Sequence, residues 1–205
     1  MLNHFEILKA ELSVIKQYVP TSSVESYFVS EVLRFHSIAG TIIKSFPNPK
    51  QNIDSRIITH ILARSLFENY FWLLYIFDDP TTMNQRFDEL LNGFKIEYNK
   101  LYKEPLLLPY KDQLEPPDVS WASLLRPKDI NSMLASLKND DGDRLKELYF
   151  IYRVTSFDTH GKSLKPLFDE SFKKDCNFPV LDLEKAFDLI ANHYLMIWQA
   201  IHSKR

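Results

Sequence analysis

Two residues in the segment from Asp143 to Gly161 have types and spacing that could do chemistry. Arg153 and His160 lie seven residues apart. On a helix turning about 100° per residue, that spacing leaves them about 20° apart in azimuth and about 10.5 Å apart along the axis. Ser156 and Phe157 fall between them on the same face, and Tyr149 lies one turn earlier. A guanidinium holds negative charge, and an imidazole gains or loses a proton near neutral pH. Gly161, directly after His160, suits the left-handed residue that closes a helix. The negative end of the helix dipole favours a protonated ring there. The pair therefore describes an anion site in which His160 acts as a general acid. The competing reading makes Arg153 one half of a core ion pair and His160 a helix-closing residue.

A second set of polar residues sits in an apolar run. Ile61 to Phe77 is the most hydrophobic stretch of the chain, yet it contains Arg64 and Glu68. Four residues apart on a helix, these two neutralise each other or other buried groups. Alternatively, Glu68 orients Arg153 or His160. Ser156, Asp158, Arg64 and Glu68 join the candidate set as binding or positioning residues. Arg56 and His60 share the four-residue spacing and read as surface or structural.

Other chemistries lack their residues. Gly161-Lys162-Ser163 resembles the end of a phosphate-binding loop, but position 156 is Ser where that loop needs Gly, and a helix precedes it instead of a strand. No Glu-x-x-His pair is present to ligate a di-iron centre. The six histidines show neither His-Glu-x-x-His nor Cys/His zinc spacing. No metal and no cofactor is expected.

The elements that must carry these residues are helical. Only 4 of 205 residues are Gly, too few for a chain rich in hairpins, and no segment alternates convincingly with period two. Helices are expected over 2–19, ended by Pro20, and 22–46, capped within Thr21-Ser22-Ser23. Others are expected over 50–78, then 80–103 with Asp79 as cap and Pro80 in the first position, then 143–160, and from Asp182 to the C-terminus. Short helical pieces are expected near 119–126 and 127–138. Residues 104–120, with four prolines, read as a long surface loop, Asn139 to Asp143 as a turn, and 162–180 as irregular. Apolar residues nearly all round 143–161 suggest a central helix. Together these give a single-domain all-α bundle of about five main helices spanning 1–205.

Hydrophobic residues make up 45% of the chain and charged residues 25%, which excludes a disordered or collagenous chain. The formal net charge is -2, so any hold on nucleic acid must be local rather than a bulk basic surface. Lys162, Lys165, Lys173 and Lys174 follow His160, but acids are interspersed among them and the segment reads as solvated. The single Cys176 cannot form an internal disulfide. With an opening that lacks the order of a secretory leader, it points to the reducing cytoplasm. The charges at Arg64 and Glu68 make the apolar run a core helix, and no membrane association is expected. Phe67, Tyr70, Phe71, Trp72, Tyr75 and Phe77 on that helix form a stripe wide enough for a core and an interface, which suits a homodimer.

Two stretches carry a family likeness. The first is Arg64-Ser65-Leu66-Phe67-Glu68-Asn69-Tyr70 followed by Asp78-Asp79-Pro80; the second is Tyr152-Arg153-Val154-Thr155-Ser156-Phe157-Asp158-Thr159-His160-Gly161. They resemble a bacterial all-helical family associated with abortive-infection proteins and similar to the HEPN superfamily, whose pattern is Arg, four to six residues, then His on a helix of a four- or five-helix bundle. The resemblance covers about residues 50–165. It implies a metal-independent endoribonuclease of toxin or phage-defence type that acts as a homodimer on RNA. His160 would move the proton of a ribose 2′-hydroxyl or of the leaving oxygen, and Arg153 would stabilise the phosphorane-like transition state. An antitoxin or a nucleotidyltransferase is the partner such proteins imply. Val154 stands where many active members carry a polar residue. The alternative within the same likeness is a non-catalytic helical module that binds nucleotides or partner proteins.

Overall fold

The computed structural model describes residues 2–46, 53–138, 143–178 and 181–203. All regular structure among them is helical. The α-helices are α1 (Asn3–Gln17), α2 (Ser23–Ser45), α3 (Ile53–Phe77), α4 (Met83–Leu101), α5 (Ile130–Ala135), α6 (Asp143–Thr159), α7 (Leu164–Phe172) and α8 (Leu183–His202). The all-α expectation holds. Six of the described helices reach fifteen residues or more.

The chain divides into two compact units, Met1–Leu73 together with Asp140–Arg205, and Leu74–Asn139. In the first, α1 buries Phe5, Leu8, Leu12 and Ile15, a stripe at three- and four-residue steps, and packs chiefly on α8. The aromatic centre is built from α2 and α8. The Phe35 ring lies 5.1 Å from Tyr194 and 6.1 Å from Phe187, both edge-on. The start of α2 is set by its sequence. Ser22 accepts from the backbone N–H of Glu25 at 3.2 Å, while the Glu25 carboxylate accepts from the Thr21 N–H at 2.7 Å.

The second unit is tied by Arg86, a buried guanidinium on α4. It donates to the carbonyl of Tyr75 and to Asp78 Oδ2 and lies 4.4 Å above the Tyr75 ring. Gly93 lets Pro127 come close, since a Cβ at that position would sit 3.1 Å from the proline Cγ. The proline segment 104–120 lies inside this unit.

Several local expectations are corrected. Asp79 does not cap α4; its Oδ1 accepts from Thr81 N–H and Oγ1 in a turn, and the helix begins at Met83. The 104–120 loop contains a 3-10 helix, Pro105–Gln113, a form that admits its prolines more readily than a sustained α-helix does. A second 3-10 helix, Val119–Ser123, is capped by Asp118. Asp129, rather than Pro127, opens the next helix by accepting from Ser132 N–H. The stretch expected to be irregular from 162 contains α7, entered and left through left-handed Ser163 and Lys173. Of the turn expected from Asn139 to Asp143, residues 139–142 lie outside the described residues. No described helix is long and apolar enough to cross a membrane.

Candidate functional site

α6 has two different sides. Leu148, Ile151, Tyr152, Val154, Thr155 and Asp158 are buried. Phe150, Arg153, Phe157 and His160, at steps of three, four and three, are exposed. The helix is therefore not apolar-packed all round, as its composition suggested. The reading of Arg153 as a core ion-pair partner fails, because the side chain is exposed and has no acidic partner among the described residues. Its guanidinium lies 5.9 Å from the Tyr149 ring centroid, a loose cation–π contact. His160 lies at the end of the helix. Gly161, at φ 69, supports the closing bond from Lys162 N–H to the Phe157 carbonyl at 2.9 Å. Arg153 and His160 thus open to solvent along one stripe.

The other candidates do not join them. Ser156 Oγ donates to the Tyr152 carbonyl at 2.8 Å. Asp158 is two residues before His160, which turns it about 160° away around the helix. There it is buried against α3, accepting from His60 Nδ1 at 2.6 Å through Oδ2 and from Leu164 N–H at 2.9 Å through Oδ1. Arg64 is also buried, its guanidinium carbon 3.5 Å above the Tyr152 ring. Its Nη1 is 3.8 Å from the Glu68 carboxylate, an ionic contact too long for a hydrogen bond. Arg64 Nε and Nη1 make no hydrogen bond. Arg64 and Glu68 are therefore neighbours, as their spacing indicated. Neither contacts Arg153 or His160 among the described residues.

His60 was read as surface or structural, and burial decides for the second. Removal from water holds its ring below the ordinary imidazole pKa, with nearby Arg56 acting in the same direction; the hydrogen bond and charge of Asp158 oppose this. At neutral pH the contact is a neutral imidazole N–H donating to a carboxylate rather than an ion pair. The signal for it was present in the sequence. Positions 56, 60 and 64 follow one another at four-residue steps, so His60 shares a stripe with Arg64.

Two chemically different places result. One is a sealed polar joint of His60, Asp158, Arg64 and Tyr152 that fixes α6 against α3. The other is an open arginine–histidine stripe on the far side of α6, able to meet a phosphodiester with a fixed positive charge and a titratable ring. Among the described residues no cluster of histidine, cysteine and acidic groups could hold a metal ion. No protein-family model, curated protein or solved structure matches this chain.

Proposed function

We propose that the chain is a HEPN-like, metal-independent endoribonuclease of toxin or phage-defence type, working as a homodimer in the reducing cytoplasm. The observation that carries the reading is the shared exposure of Arg153 and His160 on one stripe of α6, while the sealed joint on the opposite side holds the helix in place. His160 moves the proton of the attacking 2′-hydroxyl or of the departing 5′-oxygen, and Arg153 stabilises charge on the pentacoordinate phosphorus. A separation of about 10.5 Å along one helix is wide for a single phosphate. A second α6 brought alongside by dimerisation places the arginine of one subunit near the histidine of the other. An antitoxin or a nucleotidyltransferase is the accompanying partner in this reading.

The test is incubation of the purified chain with total RNA in EDTA, beside His160→Ala and Arg153→Ala. Cleavage that survives the chelator and disappears in both variants supports the enzyme. Intact RNA at high protein concentration leaves a non-catalytic module.

A further inference from the structure

Arg64 is a buried charge with few hydrogen bonds to hold it. Its Nε and Nη1 make none, and the Glu68 carboxylate stands 3.8 Å from Nη1. Such a group in a folded core calls for an explanation. Its close contact is a ring, since the guanidinium carbon lies 3.5 Å from the centroid of Tyr152. Out of water, the negative face of an aromatic ring is a good partner for a cation. Tyr152 in turn stacks on Tyr149 at 5.9 Å and 24°. Phe71, fully buried on α3, meets both edge-on, at 5.4 Å from Tyr152 and 6.3 Å from Tyr149. Tyr149 is half-buried, and exposed Arg153, four residues on, brings its guanidinium carbon to 5.9 Å from that ring. Cation, ring, ring and cation are thus linked in succession, from the sealed joint to the open stripe.

We propose that Tyr149 is a positioning residue for Arg153, and that Arg64, through Tyr152, holds Tyr149 in place. An exposed arginine samples many rotamers and loses that freedom when it engages a phosphate. A ring beside the guanidinium removes part of the freedom beforehand, so less is lost at the moment of binding. The ring does this only if it is itself fixed. Tyr149 is half-exposed, and its stack on Tyr152 and the edge of Phe71 keep it from turning. Tyr152 is fixed in its turn by Arg64, whose buried charge is best compensated when the ring face stays against it. The buried cation therefore acts on the open stripe without touching it. Its effect on RNA cleavage rests on the ribonuclease reading, whereas its effect on the orientation of Arg153 does not.

Two measurements on the full chain test this. The first follows the Arg153 Nε–Hε group by NMR, its signal identified by its loss in Arg153→Lys, and obtains its order from nitrogen relaxation. The second measures kcat and KM for RNA cleavage. Tyr149→Leu should shift the signal, lower its order and reduce kcat by about two- to fivefold, the worth of a cation–π contact at an exposed site. KM should change little, because the charge that Arg153 meets develops in the transition state. Tyr149→Phe keeps the ring and should restore the order and the rate. Arg64→Met should lower the order of Arg153 as well. Where that variant does not fold, Arg64→Lys keeps the charge but gives up the planar group, and should do the same. An Arg153 signal unchanged in Tyr149→Leu, or a Tyr149→Phe chain as impaired as Tyr149→Leu, overturns the positioning role. A signal that follows Tyr149 but ignores the folded Arg64 variant overturns the link to the core. Full kcat in Tyr149→Leu overturns the effect on cleavage. A signal that responds as expected in a chain that leaves RNA intact supports the positioning of Arg153 and overturns the ribonuclease reading alone.

Discussion

Asp158 and His60, ninety-eight positions apart in the chain, meet at 2.6 Å with only 1% and 5% of their side chains exposed. The carboxylate also accepts from the N–H of Leu164, so a single side chain on α6 positions α3 and the first residue of α7. Replacing it by Ala leaves two buried donors without an acceptor. Each such orphan costs about 1–3 kcal/mol. Asp158→Ala should therefore lose about 3 kcal/mol in urea denaturation. His60→Ala should lose less once Asp158 is already gone, the coupling expected of direct partners. A loss below about 0.5 kcal/mol for Asp158→Ala would place the joint among surface contacts.

The histidines set an acid limit to stability. In the folded chain His60 and His36 are both held below the ordinary value of about 6.5, chiefly by burial. The unfolded chain takes up these protons near that value, while the folded chain resists. Their contribution is thus complete above about pH 6.5 and is lost as the pH falls toward their folded values. Asp188 works in a lower window. Its carboxyl is partly desolvated, which alone would raise its pKa, but hydrogen bonds from the His4 side chain and from the Phe5 and His4 backbone outweigh this and lower it. Its contribution persists above about pH 4 and fails below. Urea midpoints should fall in two stages between pH 8 and pH 3. A chain more stable at pH 5.5 than at pH 7.5 would contradict the upper stage.

The legible parts of this protein were those fixed by neighbours in sequence. The Ser22 cap, the Asp182 cap that accepts from Lys185 N–H, the glycine closing α6 and the helical class all follow from local spacing. The exposure of Arg153 was not legible. An apolar composition around α6 suggested burial on every side, whereas Phe150 and Phe157 remain 46% and 42% exposed. The missed parts depend on distant partners. Asp158 stands two residues from His160, and only the packing of α3 shows that it serves the opposite side of the helix. Left-handed Ser163 and Lys173 frame α7, and nothing in a serine or a lysine announces that conformation.

Asp188 supplies a cap across the fold. The N-cap residue of α1, Leu2, has no side-chain oxygen. Instead Oδ1 of Asp188, on α8, accepts from the N–H groups of His4 at 2.7 Å and Phe5 at 3.0 Å, and Oδ2 meets His4 Nδ1 at 2.9 Å. Asp188→Ala should cost about 1–2 kcal/mol, the range for a lost cap. It should also raise amide exchange in the first turn of α1 before affecting α2. Uniform exchange across both helices would show that α1 docks by its apolar stripe alone.

The proposed dimer can be separated from the fold because its residues are exposed. Phe150, Arg153, Phe157 and His160 follow the three-four spacing of a helix–helix seam. Two half-exposed phenyl rings alternate with the charged pair along that seam, Phe150 before Arg153 and Phe157 between Arg153 and His160. Covering them in a dimer would bury apolar area and exclude water around Arg153 and His160, where an electrostatic contact to phosphate gains most. Phe150→Glu combined with Phe157→Glu places like charges across a two-fold interface and should yield a monomer by sedimentation. Neither ring belongs to the buried core, so urea stability should change by no more than about 1 kcal/mol. RNA cleavage should disappear although Arg153 and His160 are both retained. A wild-type chain that cleaves RNA while sedimenting as a monomer would eliminate the shared site and require one helix to do the chemistry alone.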